Sequence, residues 1–410
     1  MKIIADENIP FVKDCFASIG DVQTLSGRQI TPGAVADADI LLVRSITPVN
    51  EKLLAKSKVK FVATATIGFE HVDVDYLKNR GIGFASAPGS NANSVADYIV
   101  AALLSAAQKH KITLESKSIG VVGVGNVGSK VAKKCAALGM KVKLNDPPLE
   151  RYISHREHRG HRELDNALAR IEEYLGGVEF APIGELMGCD FITLHTPLTY
   201  EGQDKTYHLA DEKFFASLKP GCVFINTCRG AVHNTAALKA AINNKKLSAV
   251  ILDVWESEPN IDCDLLRMVD ISTPHIAGYS LDGKIAGMIM IYNAACEHFG
   301  IKPKYEVKDF LPKPAVAEIR ISNVAGDEQQ ILHETVQQVY CINRDDFNTR
   351  EIAMVEPGKR GKFFDDLRKN YPVRREFQNT IIILKQSRPA LADAIKGIGF
   401  KVNPPEADKK

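Results

Sequence analysis

Three polar residues, Arg229, Glu258 and His275, each follow an apolar run and stand in the order Arg, Glu, His along the chain, in "FINTCRGAV", "AVILDVWESEP" and "DISTPHIAG". The combination suits removal of a hydride from a secondary alcohol. A histidine takes the hydroxyl proton, because its side chain titrates near neutrality. A carboxylate partner fixes the ring orientation and favours the imidazolium. An arginine fork binds a substrate carboxylate and polarises the developing carbonyl. Taken singly, none of the three is informative: an isolated Arg or Glu is usually solvated, and a lone His is more often a satisfied structural group. Their placement gives them weight. Three strands that each deliver a polar residue at the carboxyl end match the place where an open α/β sheet holds its ligand.

The hydride needs an acceptor. In "GVVGVGNVGSK", Gly123, Gly125 and Gly128 have the G-x-G-x-x-G spacing, between an apolar run and a helical pattern, and Asp146 follows 18 residues after Gly128. Strand, glycine loop, helix and acid together form a dinucleotide fingerprint, whereas the glycines alone are a weak signal. The first glycine permits the tight turn, the second lets backbone approach the pyrophosphate, and the third lets helix pack on strand. Asn126 and Val127 complete the loop, whose helix N-terminus adds amides and a partial positive charge. Asp146 is expected on the ribose hydroxyls, where its charge repels the extra phosphate of NADP, so the predicted cofactor is NAD.

The elements that must position these residues follow an α/β rhythm. "MKIIAD", "ILLVRS" and "FVATAT" read as strands separated by amphipathic segments, which argues for parallel sheets of β-α-β units. "NSVADYIVAALLSAAQKH" reads as a long helix capped by Asn93 or Ser94. A second unit runs from the glycine loop through "DFITLHTP", "CVFINTC", "AVILDVW" and "DISTPHIAG". Residues 151–179 read as a polar insertion, and from about 301 the pattern becomes that of a separate small α/β domain with a frayed tail.

Length and composition bound the rest. At 410 residues the chain has room for two or three domains of about 150 residues. A net charge of +2 gives no case for a nucleic-acid-binding face. Eight scattered cysteines with no C-x-x-C pair read as free thiols in a reducing compartment. The start lacks a signal-peptide pattern, and the longest apolar stretch is interrupted by Asp97 and too short for a bilayer, so no membrane association and a cytoplasmic location are expected. His155, His158 and His161 read as a solvated loop, so no metal site is expected. Cys228 reads as a small buried residue, "LRKNYPVRREF" as surface or interface, and Trp255 as an anchor beneath the Glu258 loop.

With these residues in place, "GVVGVGNVG", "LHTPLT", "NTCRGAV", "DVWESEP" and "TPHIAG" resemble the D-isomer-specific 2-hydroxyacid dehydrogenases over residues 40–285. The resemblance implies Arg229 for substrate binding, Glu258 as the histidine's partner and His275 as proton donor and acceptor. It implies an α/β fold with two Rossmann-like lobes: a substrate lobe of residues 1–93, completed by about 281–300, and an NAD-binding lobe of 94–280. Further motifs, "MKIIADENIPF", "PGSNANSVADY", "HIAGYSLDGK" and "FDDLRKNYPVRREF", are similar to members of the family that carry an additional small α/β dimerisation domain at the C-terminus, here 301–410. That closer likeness implies a homodimer and an NAD-dependent oxidation at C2 of a small phosphorylated hydroxy acid in vitamin biosynthesis. By the same likeness Ser45, Thr66 and Tyr279 contact substrate, and Asp146, Thr196, Asp253 and Gly278 contact NAD. Two alternatives stay open: a class member acting on another substrate, such as D-3-phosphoglycerate, and a NAD-sensing binding protein.

Overall fold

Runs such as Ile40–Val43 and Cys222–Asn226 are apolar nearly throughout and buried at every position, which a strand achieves only when both faces of its sheet are covered. Both lie inside parallel sheets, as the alternation of strand and helix requires. The computed structural model describes residues 1–154, 169, 180–322 and 327–403. His155, His158 and His161, nearly all of the 151–179 insertion, and the tail beyond Asn403 lie outside the described residues. Among those described, the chain divides into two compact units, Met1–Asn93 with Tyr279–Lys313, and Ser94–Gly278 with Pro314–Lys410.

The first unit holds a parallel sheet of β1 (Lys2–Asp6), β2 (Asp21–Leu25), β3 (Ile40–Val43), β4 (Phe61–Thr64) and β5 (Gly83–Ala85), in the order β2-β1-β3-β4-β5. The two-residue period of a strand divides its side chains between two cores. Ile3, Ala5, Ile40, Leu42, Phe61 and Ala63 pack with Ile285, Met288 and Tyr292 of the returning helix Leu281–His298. Ile4, Leu41, Val43 and Val62 pack on the other face with Val35, Leu54 and Leu77.

The second unit is built on β6 (Ser118–Val122), β7 (Lys141–Asn145), β8 (Phe191–Leu194), β9 (Cys222–Asn226), β10 (Leu247–Leu252) and β11 (Ile271–Ser272), all parallel, in the order β11-β10-β9-β8-β6-β7. The order reverses at β6, which has β7 on one side and β8 on the other. A doubly wound sheet opens a crevice at such a point, at the strands' carboxyl ends. A small parallel sheet of β12 (Glu318–Ile321), β13 (Ile381–Leu384) and β14 (Lys401–Asn403) belongs to the same unit.

Two expectations about these elements change. Residues 301–313, expected with the C-terminal segment, group with the first unit, because Ile301, Tyr305 and Phe310 pack on its core. The segment from 314 is fastened into the second unit: Ile352 and Phe364 share a core with Phe224 and Leu252, and Gln329 bonds the Leu114 amide at 2.7 Å and the Ile112 carbonyl at 2.8 Å. The long helix starts at Ala92, so Asn93 and Ser94 lie inside its first turn instead of capping it. Its Asp97 is buried in an ion pair with Lys134 and accepts the Phe377 amide at 3.0 Å. Among the described residues no helix is long and apolar enough to cross a membrane.

Candidate active site

β11 is only two residues long, and three residues beyond it His275 adopts a left-handed conformation, φ 59°. For a residue with a side chain this costs ~1–2 kcal/mol and persists only where the surroundings impose it. Asp253, buried at the end of β10, imposes it. Its Oδ1 accepts from Thr273 Oγ1 at 2.6 Å and from the Ile276 amide at 2.7 Å, its Oδ2 accepts from the Ala277 amide at 3.0 Å, and its carbonyl accepts the His275 amide at 2.7 Å. Asp253, expected as an NAD contact, thus directs its carboxylate to its own chain and orders the loop that carries His275 and Gly278.

Glu258 comes from the loop after the same strand. Its Oε2 lies 2.7 Å from His275 Nδ1, and its Oε1 accepts the Trp255 amide at 2.7 Å. Burial raises the carboxyl's pKa, but His275, the Trp255 amide and Arg368 outweigh it, and the net displacement is downward, so Glu258 is a carboxylate at neutral pH. A carboxylate on Nδ1 assigns the hydrogen there and leaves Nε2 as the nitrogen that can accept a proton. Trp255 is buried beneath both loops, as expected of an anchor, and its Nε1 donates to the Thr273 carbonyl at 3.0 Å.

Arg229 is presented by a turn that Asn226 ties together at the end of β9. Asn226 Nδ2 donates to the Arg229 carbonyl at 3.0 Å, and Oδ1 accepts the Cys228 amide at 3.0 Å. The next residue has to be glycine: a Cβ on Gly230 would lie 1.9 Å from the Trp255 carbonyl oxygen. The Arg229 turn therefore sits directly on the backbone that leads to Glu258. Contacts from Gly230 to Trp255, from Trp255 to Glu258 and from Glu258 to His275 bring the three loops together. Cys228 is buried and burial pushes its thiol up, in keeping with a packing role.

The glycine loop lies at the reversal of the same sheet. Gly123 has φ 86°, and a Cβ there would meet the His195 carbonyl oxygen at 2.7 Å and the Thr196 amide at 3.0 Å. The loops after β6 and β8 thus touch, with Thr196 against the turn. A Cβ on Gly128 would lie 1.9 Å from the Gly123 carbonyl oxygen, while one on Gly125 would meet nothing within 4 Å. Close packing at the first and third glycines with open space at the second is what a pyrophosphate requires. Gly125 is the N-cap of the helix Asn126–Ala137, so Asn126 and Val127 offer its first amides. Asp146 Oδ2 accepts the Val124 amide at 2.7 Å and Oδ1 the Leu149 amide at 3.0 Å, which fixes the carboxylate beside the loop. These residues fit a dinucleotide. His195, held by Thr193 Oγ1 at 3.0 Å, is pushed by burial down to about 3 and is therefore neutral beside the cradle.

In the first unit the strand order turns between β1 and β3, and the other expected residues lie at carboxyl ends of this sheet or just before the returning helix. Ser45 is exposed in the turn after β3, beside the half-buried Arg44. Thr66, after β4, donates to the Gly68 carbonyl at 2.9 Å and lies 2.6 Å from Thr64 Oγ1. Tyr279 is half-buried just before the helix Leu281–His298, with Lys284 Nζ 4.6 Å from its ring centroid. The segment "LRKNYPVRREF", expected at a surface or interface, divides: Lys369, Asn370, Pro372 and Val373 are exposed, whereas Arg374, Arg375 and Glu376 are buried. Of the residues missed in the sequence, Asn226 and Lys284 act on near neighbours, Cys228 with Arg229 and Tyr279, while Arg374 acts on partners that no local pattern marks.

A family model described as the NAD-binding domain of D-isomer specific 2-hydroxyacid dehydrogenases matches residues 96–277, and a domain of unknown function matches 310–399. The D-lactate dehydrogenase of Aquifex aeolicus, solved with NAD and lactic acid, is similar at 25% identity and a TM-score of 0.56, over 73% of this chain and 96% of that one. Fold and cradle thus define an NAD-dependent 2-hydroxyacid dehydrogenase. Two relatives are similar over nearly their whole length, each an erythronate-4-phosphate dehydrogenase: that of Marinobacter nauticus at 41% identity (98% of this chain, 100% of the relative) and that of Shigella dysenteriae at 42% (95% and 96%). The chain belongs to the erythronate-4-phosphate dehydrogenase family.

Proposed function

We propose that this enzyme oxidises 4-phospho-D-erythronate at C2 to 2-oxo-3-hydroxy-4-phosphobutanoate, a step of pyridoxal 5'-phosphate biosynthesis. The observation that carries the reading is the 2.7 Å pairing of His275 Nδ1 with Glu258, on loops of the sheet whose reversal holds the dinucleotide cradle. Bound NAD supplies the hydride acceptor. His275 Nε2 accepts the C2 hydroxyl proton, and Glu258 steadies the imidazolium that results. Arg229 binds the substrate carboxylate and polarises the developing carbonyl. Gly123, Gly125, Asn126, Val127 and Gly128 receive the pyrophosphate and Asp146 the ribose hydroxyls, with Thr196, Asp253 and Gly278 shaping the nicotinamide end. Ser45, Thr66 and Tyr279 contact the substrate, and the turn of strand order beside β3 supports Ser45 in that role.

The C-terminal segment serves as the homodimer contact in this reading. Phe347, Met354 and Val373, three of the eight exposed large hydrophobic residues among those described, lie within it. A cytoplasmic location accords with the eight free cysteines. The test is NADH formation from 4-phospho-D-erythronate, with a 2-oxo acid added as re-oxidant in parallel. Turnover of D-3-phosphoglycerate in its place would keep the class and remove the pathway, and tight NADH binding without turnover of either would favour a sensor.

A further inference from the structure

The loop after His275 is held from two sides. Asp253 takes the amides of Ile276 and Ala277 from one side. From the other, the C-terminal segment contributes Arg374, which is 6% exposed. Its Nη2 donates to the carbonyls of Ala277 and of Ile276, the latter at 3.2 Å, and to Ser94 Oγ at 2.6 Å. Ser94 Oγ itself donates to the Ala277 carbonyl at 2.9 Å. Three successive peptide units after His275 are therefore held, the Ile276–Ala277 unit through both its amide and its carbonyl. The guanidinium is in turn set over the Tyr340 ring, 4.4 Å from its centroid, and Tyr340 and Tyr371 both donate to Asp345 Oδ2, at 3.0 and 2.7 Å. The same segment grips the near side of the loop, where Asp346 Oδ1 accepts the Ser272 amide and hydroxyl, each at 2.7 Å.

A buried arginine is a poor means of gaining stability, since desolvating the charge offsets much of what its hydrogen bonds return. Here Nη1 is buried with no hydrogen-bond partner, so the cost is only partly offset. What this placement does achieve is geometric. His275 occupies a left-handed conformation that relaxes unless the residues around it are over-determined. Asp253 alone fixes the amides, and Arg374 adds the carbonyls.

We infer that Arg374 is a positioning residue for catalysis: through the carbonyls of Ile276 and Ala277 it holds the His275 loop in the geometry that the Glu258 pairing requires, so that the C-terminal segment is part of the catalytic apparatus as well as an addition to the fold. The inference rests on the assignment of His275 as acid/base. Absence of turnover in the wild-type enzyme would remove that assignment, whereas the role of Arg374 is read from variants relative to wild type.

The experiment compares Arg374→Gln and Arg374→Lys with a control, Gln329→Ala. Gln329 fastens the same segment through the Leu114 amide and the Ile112 carbonyl, away from the His275 loop. Steady-state kinetics with 4-phospho-D-erythronate and NAD, thermal melting and the emission of Trp255, the single tryptophan, are recorded for each. The expected result is a fall in kcat of roughly tenfold or more in Arg374→Gln, a smaller fall in Arg374→Lys, a KM for substrate within about threefold of wild type, and altered Trp255 emission. The control, matched in melting temperature, retains its kcat. A folded Arg374 variant with wild-type kcat overturns the inference, as does an equal loss in Gln329→Ala. If neither Arg374 variant folds, Ser94→Ala decides: a several-fold lower kcat in a protein that melts normally supports the role, and an unchanged kcat overturns it.

Discussion

His275 Nδ1 lies 2.7 Å from Glu258 Oε2, and the other oxygen of that carboxylate accepts the Trp255 amide at 2.7 Å. The carboxylate is held at both ends, so the imidazole cannot turn without breaking a charge-assisted bond. Burial notwithstanding, Glu258 stays ionised at neutral pH, and in the proposed mechanism it supports the imidazolium formed when the substrate hydroxyl loses its proton.

Glu258→Gln keeps the shape and removes the charge. We expect kcat to fall ~100-fold with little change in melting temperature, and His275→Ala to fall at least as far. The double variant should lose little more than His275→Ala alone, since the glutamate acts through the histidine. Single and double variants measured for kcat and KM in one series check this. Additive losses would mean that Glu258 acts on substrate independently.

Asp146 governs cofactor choice in the proposed site. Its oxygens also accept the Val124 and Leu149 amides, so a substitution disturbs the loop unless an acceptor remains. Asp146→Asn keeps one acceptor and removes the charge that opposes a 2'-phosphate. We expect its KM for NAD to rise about tenfold while the preference for NAD over NADP narrows by a similar factor. A variant that keeps the wild-type ratio of kcat/KM for the two cofactors would remove Asp146 from that role.

The parts of this site that were legible in the sequence are those whose signal is local. The glycine spacing with Asp146, and the strands ending near Arg229, Glu258 and His275, are short-range patterns imposed by backbone geometry, and the structure places them as the pattern requires. Asp97 shows the limit. In sequence it merely interrupts an apolar helix, yet it pairs with Lys134 and caps the Phe377 amide, 280 residues away. Arg374 looked like a surface charge for the same reason: its partners, Ser94, Ile276 and Ala277, are far along the chain, and nothing around residue 374 marks them. Asp253 is expected as an NAD contact, but that its carboxylate orders the His275 loop leaves no trace in residue type.

Gly230 offers a test of how the three loops of the proposed site are stacked. A Cβ 1.9 Å from the Trp255 carbonyl cannot be accommodated by moving a side chain, because the obstacle is backbone. Gly230→Ala should separate the Arg229 turn from the Glu258 loop. We expect destabilisation of ~2–4 kcal/mol, or failure to fold, measured by urea unfolding, and a loss of kcat in any folded fraction. Alanine at Gly125, where nothing lies within 4 Å, should leave stability near wild type and weaken NAD binding instead. Comparable melting temperatures for the two variants would contradict this stacking.

Acid sensitivity should arise in part from His233, which is fully buried and bonded to Asn226 Nδ2 at 2.9 Å. Burial pushes it from an ordinary value of 6.5 down to about 4. The unfolded chain therefore takes up a proton near pH 6.5 while the folded protein resists until about pH 4. A depressed folded value means that the stability from a neutral His233 is fully present above pH 6.5 and is lost progressively as pH falls from there to about 4. The loss at pH 5 is ~2 kcal/mol for this one residue. His233→Asn keeps a neutral acceptor for Asn226 and removes the proton site. Urea unfolding at pH 7, 6 and 5 should show wild type losing ~2 kcal/mol more than the variant across that range, with part of the remaining slope due to His195. Parallel pH dependences would show that His233 is not a buried neutral group in the folded protein.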